Sequence, residues 1–359
     1  MNMPDQHTLP ALAVTVCCPI LLGTSARSVC QQNLETGLAY QASVSTDAVS
    51  VGQVMTVNGP LASSALGVTD AHQHVWIAPV TCGPAGAPLL SDRDVIAAGL
   101  TAYRAAGGGG LLDCQPGGCG RDGRALAELS RLTDVPIIAC TGFHLARYYP
   151  PDFWLWGATA EAARDTFVAE IVDGLAETRD TDQPVRAGFI KVAIPADPAE
   201  LPAALWEAAA AASRDTGAAL LAHTEAGAAA EQIVARLLDC GAAADRLVIC
   251  HIDKRPDFGL HRELAQAGVL LEYDTFFRPK YDPERNVWPL LQRMAAAGLA
   301  GQIAIGTDLA GTAFWQETGP AALPGEIVSR LRALGFDPAT IQRLTGGNIA
   351  GRLAGSAPS

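Results

Sequence analysis

From about position 51 onward, short apolar runs alternate with alanine-rich stretches of helical spacing, and this alternation constrains the fold more than any other feature. The apolar runs fall at 68–70, 111–113, 135–140, 187–192, 218–222, 246–250, 269–273 and 302–305. Helical patterns follow them at 92–106, 124–132, 159–178, 200–215, 229–240, 259–267, 287–297 and 326–334. Such an order predicts parallel strands joined by right-handed crossovers. Eight units close naturally as a (β/α)8 TIM barrel. The rival, a doubly wound open sheet, would carry a Gly-rich dinucleotide loop after its first strand, and Thr69-Asp70-Ala71-His72 is no such loop. The run Gly107-Gly108-Gly109-Gly110 precedes a strand and reads as a helix stop, not a phosphate cradle.

Composition narrows the class. Lys plus Arg is 25 and Asp plus Glu is 37, a formal net charge of −12, which is the wrong sign for a diffuse nucleic-acid binder. No run approaches the length of uninterrupted apolar sequence that spans a bilayer, so no membrane association is expected. The 9 cysteines form no CxxC pair, and several lie in apolar runs. They read as buried small hydrophobes in a reducing, cytoplasmic setting rather than as a disulfide framework. Residues 1–50 differ from the rest. The apolar run 9–23 is the nearest thing to a secretory segment, but it lacks a preceding Lys or Arg, and 41–50 suits a loose linker. We read 1–50 as an N-terminal extension, loosely ordered or reflecting a start assigned too far upstream, and 51–359 as the barrel domain.

In such a barrel, chemistry collects at the C-terminal ends of the strands. The first run ends in Asp70-Ala71-His72-Gln73-His74, where His72 and His74, two apart on extended chain, aim the same way. Lys191 sits in the fourth run, His223 ends the fifth, His251 ends the sixth, and Asp308 follows the eighth. Lys191 and His223 are 32 positions apart and His223 and His251 are 28 apart, each close to one β/α unit. Imidazole nitrogens with carboxylate oxygens suit zinc, manganese or a related divalent ion. Taken singly, each residue has a plainer reading: a hydrogen-bonded structural histidine, or a turn aspartate. Lys191 is harder to explain away, because an amine among Phe189, Ile190 and Val192 is desolvated without an evident partner.

These residues resemble the phosphotriesterase-related branch of the amidohydrolase superfamily. Further matches are Val57-Asn58-Gly59-Pro60, Thr141-Gly142-Phe143-His144, Tyr148-Tyr149-Pro150, His223-Thr224-Glu225-Ala226-Gly227, His251-Ile252-Asp253, Gly306-Thr307-Asp308 and Asn348-Ile349-Ala350. The resemblance covers nearly all of the chain beyond its N-terminal segment. One departure is Gln73, where many relatives have Glu or Pro; its side chain is expected to face away from the metals. The resemblance implies a centre of two divalent ions, Zn2+ or else Mn2+ or Co2+. His72, His74 and Asp308 would hold the buried ion, His223 and His251 the more exposed one. Lys191, as N6-carboxylysine, would bridge them, its amine kept neutral by burial so that it reacts with CO2. A hydroxide shared by the ions would attack an ester-type carbonyl, with Asp308 receiving the proton. It also implies a homodimer.

The electrophile must be read from the loops. Lys254 follows the sixth run, and Arg278 and Tyr281 follow the seventh. Cations at the mouth of an acidic chain suggest an anionic small-molecule substrate, for which Arg offers a fork of donors. The same positions resemble those with which relatives hold the phosphate of sugar lactones, so a lactonase for a phosphorylated sugar lactone is the expected activity. The plainer alternative is loop ion pairing, of Arg278 with Asp274, Asp282 or Glu284 and of Lys254 with Asp253 or Asp257. His144 either touches substrate or is structural, and Phe143, Tyr148, Trp76 and Trp315 are candidates for shaping the pocket. A phosphotriester, amide or other ester would suit the same centre, and a catalytically silent binding barrel is the reading from another class.

Overall fold

A computed structural model describes residues 52–81 and 83–354. The N-terminal extension, its apolar run, and Cys17, Cys18, Cys30 and Cys82 lie outside the described residues.

A short antiparallel hairpin comes first, β1 (Gln53–Thr56) and β2 (Gly59–Ala62). Its turn is the Val57-Asn58-Gly59-Pro60 motif; Gly59 takes φ 110, and the Thr56 hydroxyl donates to the Gly59 carbonyl at 2.7 Å. The Val57 N–H donates to the Ile137 carbonyl at 2.9 Å, tying the hairpin to the start of a barrel strand.

Eight parallel strands follow: β3 (Val68–Gln73), β4 (Gly108–Asp113), β5 (Ile137–Phe143), β6 (Ala187–Ile194), β7 (Leu220–Thr224), β8 (Leu247–Cys250), β9 (Leu270–Tyr273) and β10 (Ile303–Ile305). Each pairs with its sequence neighbour. The ring closes just beyond β10, where the N–H groups of Thr307 and Asp308 donate to the His72 carbonyl at 3.3 and 2.8 Å. The (β/α)8 barrel is therefore observed as expected. Period-two alternation sorts the side chains. On β6, Phe189 packs with the inner cluster of Leu112, Cys140, Leu221, Cys250 and Leu270, while Ile190 and Val192 face the helices. Lys191 shares the inward face with Phe189.

Helices α1 (Arg93–Ala105), α2 (Gly123–Thr133), α3 (Ala160–Val172), α4 (Ala203–Thr216), α5 (Ala230–Asp239), α6 (Phe258–Gln266) and α7 (Val287–Ala296) fill the crossovers. Side-chain caps set several starts: Asp92, Asp122 and Asp257 each accept two N–H groups of the following turn. Two expectations need correction. The helix at 159–178 stops at Val172, because Gly174 turns at φ 139 and the next residues are drawn inward. There Arg121, its side chain fully buried, donates to Glu170 and Glu177 at 2.6 and 2.7 Å and to the Cys140 carbonyl at 2.7 Å. The glycine run is also more than a helix stop. Gly107 ends α1 at φ 96, but Gly108, Gly109 and Gly110 are strand residues, and a Cβ on Gly109 would lie 1.7 Å from the Leu66 carbonyl oxygen. Cys114, Cys119, Cys140 and Cys250 are buried free thiols, and Cys240 is a half-buried one. No described helix is long and apolar enough to cross a membrane.

Candidate metal centre

The six side chains picked out at the strand ends converge. His72 lies one residue before the end of β3 and His74 just after it; Lys191 lies within β6, His223 within β7, and His251 and Asp308 just beyond β8 and β10. Lys191 Nζ lies 2.9 Å from His72 Nε2, and His74 Nε2 lies 3.6 Å from Asp308 Oδ1. The His72 and His251 rings stand 4.4 Å apart and those of His223 and His251 4.5 Å apart. His251 (φ 63) and Asp308 (φ 48) both occupy the left-handed region, which costs a non-glycine residue about 1–3 kcal/mol. Two backbone hydrogen bonds help to hold them: the His251 N–H donates to Glu272 Oε2 at 3.1 Å, and the Asp308 N–H to the His72 carbonyl at 2.8 Å.

Each imidazole is pinned on one nitrogen. His72 Nδ1 meets Glu272 Oε2 at 3.2 Å, His74 Nδ1 meets Gln115 Oε1 at 2.8 Å, and His251 Nδ1 meets Asp274 Oδ2. His223 is held by Nε2 to Glu225 Oε1 at 2.9 Å. An acceptor behind an imidazole fixes its orientation and leaves the other nitrogen free for a metal. Gln73 faces away from the centre, as expected, and braces it. Its amide donates to the Thr307 hydroxyl at 2.8 Å, and its carbonyl accepts from the N–H of His74 at 2.9 Å and of Leu309 at 3.1 Å. Asp70 completes the clamp, accepting from the N–H of His72 at 3.2 Å and of Thr307 at 3.0 Å.

The donor set fits cations. Ligand atoms of His72, His74 and Asp308 lie within 4.8 Å of one another, as do those of His72, His251, Glu272 and Asp274. Glu272 Oε1 and Asp274 Oδ1 are buried without a hydrogen-bond partner, an arrangement that a positive charge stabilises. Burial pushes His72 and His251 well below the usual histidine range, and His74 to about 4, so the imidazoles are neutral donors. For Asp308, burial acts upward, but His251, Lys254 and His74 outweigh it and hold the carboxyl below its ordinary range.

Burial favours the neutral amine of Lys191, yet attraction to Cys114, Cys250 and Asp308 opposes burial and the net direction is upward. Burial also raises the Cys114 and Cys250 thiols and keeps them uncharged at neutral pH, which leaves Asp308 as the real counter-charge.

The cationic side chains also face inward. Lys254 Nζ lies 3.7 Å from Asp274 Oδ1 and 3.8 Å from Asp308 Oδ2. Arg278 Nη2 donates to the Asp308 carbonyl and lies 3.5 Å from Asp308 Oδ2. The Tyr281 ring stands 5.9 Å from Lys254 Nζ. None of the loop ion pairs considered from the sequence is seen among the described residues; Lys254 approaches Asp274 and Asp308, and Arg278 approaches Asp308, instead. Asp282 pairs with Arg285, Glu284 with Arg330 and Asp257 with Arg255, while Asp253 accepts from the N–H groups of Asp274 and Thr275.

A cavity of about 330 Å³ opens over His74, His223 and Asp308 and continues past Gln115, His144 and Arg147. His144 stands with its ring 5.5 Å from that of His223 and edge-on to Tyr148 at 4.7 Å. Three aromatic candidates, Trp76, Phe143 and Trp315, do not line this cavity. Phe143 is buried in the core, and the Trp315 indole N–H donates to the carbonyls of His74 and Leu309 at 3.1 and 2.9 Å, bracing the ligand loops. Sequence reading missed Gln115, Glu225, Glu272 and Asp274. The signal was there for Glu272, a carboxylate in the middle of an otherwise apolar strand.

An eight-stranded barrel with imidazoles, a lysine and carboxylates gathered at the strand ends defines a metal-dependent hydrolase. The chain belongs to the phosphotriesterase family, whose model matches residues 52–345. It is 28% identical over 286 residues to a phosphotriesterase homology protein from Mycobacterium tuberculosis, covering 76% of this chain and 86% of that one. It is 29% identical over 270 residues to a phospho-furanose lactonase from Mycoplasmopsis synoviae, covering 70% and 75%. An amidohydrolase from Mycoplasma synoviae superposes with a TM-score of 0.77 at 25% identity, covering 85% of this chain and 93% of that one. The chain is thus a metal-dependent lactone and ester hydrolase of a family whose members use binuclear metal centres.

Proposed function

We propose that this enzyme hydrolyses a phosphorylated sugar lactone at a pair of divalent ions, zinc suiting the nitrogen and oxygen donors best and manganese or cobalt being able to replace it. The observation that carries the reading is the convergence of the six strand-end side chains with Lys254 and Arg278 poised beside Asp308. The likeness to a phospho-furanose lactonase supports the substrate class. His72, His74 and Asp308 would hold one ion and His223 and His251 the other, with Lys191, carboxylated by CO2, common to both. When bound, such a pair supplies a water acidic enough to ionise near neutral pH and a Lewis acid for the carbonyl oxygen.

The chain's own residues do the rest. Asp308 is held ionised, so one of its carboxylate oxygens takes the proton lost as water adds to the lactone carbonyl, and returns it to the departing ring oxygen. The products balance as one hydroxy acid per lactone and water. Lys254, Arg278 and the Tyr281 hydroxyl would bind the phosphate, the guanidinium exchanging its contact with Asp308 for the incoming anion. Gln115, Glu272 and Asp274 keep the imidazoles aimed.

The test is a panel of phosphorylated lactones, neutral lactones, amides and phosphotriesters with metal-loaded protein. Phosphorylated lactones should be preferred, and Arg278→Ala should raise their KM at least tenfold while changing that of neutral lactones little. Equal effects on both would dismiss the phosphate pocket.

A further inference from the structure

A polar pair is buried between α6 and β9, where two apolar side chains would pack as well, and neither the ligand set nor the cavity accounts for it. α6 turns Leu260, His261, Leu264 and Ala265 into the core, and of these four only His261 is polar. It meets β9, where alternation sends Leu271 and Tyr273 toward the helices and Leu270 and Glu272 toward the barrel interior. His261 and Tyr273 are both fully buried. His261 Nδ1 lies 2.6 Å from the Tyr273 hydroxyl, and its Nε2 lies 2.9 Å from the Arg255 carbonyl. A carbonyl only accepts, so Nε2 carries the proton and Nδ1 accepts from the hydroxyl. The imidazole thus reaches from β9 to the end of the turn 251–255, which an apolar side chain would not tie down.

That turn opens on a ligand in a strained conformation. His251 stands at φ 63, and such a backbone persists only where its surroundings over-determine it. Within the turn, the Lys254 N–H donates to the His251 carbonyl at 3.2 Å and the Arg255 N–H to the Ile252 carbonyl at 3.0 Å. β9 and the residues just after it then tether the turn at three points. Glu272 Oε2 accepts from the His251 N–H at 3.1 Å, and Asp253 accepts from the N–H groups of Asp274 and Thr275 at 3.0 and 2.8 Å. The third tether, through His261, is the one that comes from the helix layer behind the barrel wall.

We infer that His261 and Tyr273 are positioning residues, a strut behind the barrel wall that holds the turn 251–255 against β9 so that His251 presents its ring to the metal centre. The inference rests on the reading of His251 as a metal ligand and goes beyond it, since neither residue of the strut lines the cavity. The Arg255 carbonyl also accepts from the Asp257 N–H at 2.8 Å, so loss of the imidazole leaves no buried acceptor unpaired and tests position separately from burial.

The experiment titrates the full-length, metal-stripped protein with zinc and measures Tm on the same samples. The double variant His261→Leu with Tyr273→Phe removes both polar partners with little change of shape, so its metal-free Tm should stay close to that of the native chain. One of the two zinc ions should nevertheless bind about 10- to 100-fold more weakly. His261→Gln, whose amide donates to the Arg255 carbonyl and accepts from the Tyr273 hydroxyl, should bind both ions as the native chain does. Native zinc affinity in the double variant overturns the strut, and so does a weakening in His261→Gln as large as that in the double variant. If the double variant does not fold, Tyr273→Phe decides, because it severs only the β9 end: the same ion should weaken, and unchanged affinity overturns the inference. A native chain that binds no zinc contradicts the metal centre itself, whereas two ions in every variant at native affinity sink the strut alone.

Discussion

Each imidazole of the centre is held on one nitrogen by an acceptor, and the holder differs from case to case. Glu272 and Asp274 are carboxylates, whereas Gln115 is a neutral amide whose own N–H2 donates to the Cys119 carbonyl, so its oxygen can only point at His74. Gln115→Ala should therefore weaken metal binding 10- to 100-fold, checked by titrating the apoprotein with zinc, while leaving the fold intact. A second prediction concerns His261, buried away from the centre between the Tyr273 hydroxyl at 2.6 Å and the Arg255 carbonyl at 2.9 Å. Burial lowers it from 6.5 to about 4. The unfolded chain then binds more protons between those values, so the stability His261 confers is complete above pH 6.5 and is lost as pH falls through about 4. Between these limits native protein should lose up to about 3 kcal/mol relative to His261→Gln in denaturant unfolding. Identical pH profiles would contradict it. Lys191 was legible in the sequence because a lone amine among apolar residues calls for a partner; Gln115 was not, because an amide in a Pro- and Gly-rich loop has many ordinary uses.

Backbone approach decides how closely the strand ends can gather. Gly142 on β5 sits at φ 99 beside Lys191, and a Cβ there would lie 1.9 Å from the Lys191 carbonyl oxygen. Gly142→Ala should cost several kcal/mol, visible as a fall in Tm of several degrees, with metal content falling in parallel because Lys191 is displaced. Unchanged Tm and metal content would show that β5 and β6 do not set the position of Lys191. The strands and most helices could be read from period and caps, since Asp92, Asp122 and Asp257 mark starts directly. What could not be read was non-local. The end of α3 is set by Arg121, 49 residues from Glu170 in sequence, and the strand role of Gly108–Gly110 by the Leu66 carbonyl that crosses them. The acceptors behind His72, His74 and His251 come from other β/α units, so spacing along the chain carries no trace of them, whereas Glu225 follows His223 by two residues.

At the scale of the molecule, ions bound only by the folded barrel stabilise it by mass action. Chelation should abolish hydrolysis and lower Tm, and added zinc should restore both; a Tm indifferent to chelator would mean the centre contributes nothing to folding. The barrel and its ligand residues were visible from sequence because both follow one repeat, an apolar run ending in a polar residue. The substrate was not, because the cavity wall comes from irregular loops such as those at 77–80 and 83–89, whose shape depends on hydrogen bonds to Gly120 and Thr312 far along the chain. The central claim is that four imidazoles, Lys191 and Asp308 jointly hold two cations. Metal analysis of purified protein beside Lys191→Ala tests it most directly. We expect about two divalent ions per native chain, and in the variant the loss of most metal and of lactone hydrolysis, partly restored by short carboxylic acids. Full metal content and native turnover in Lys191→Ala without any addition would contradict it.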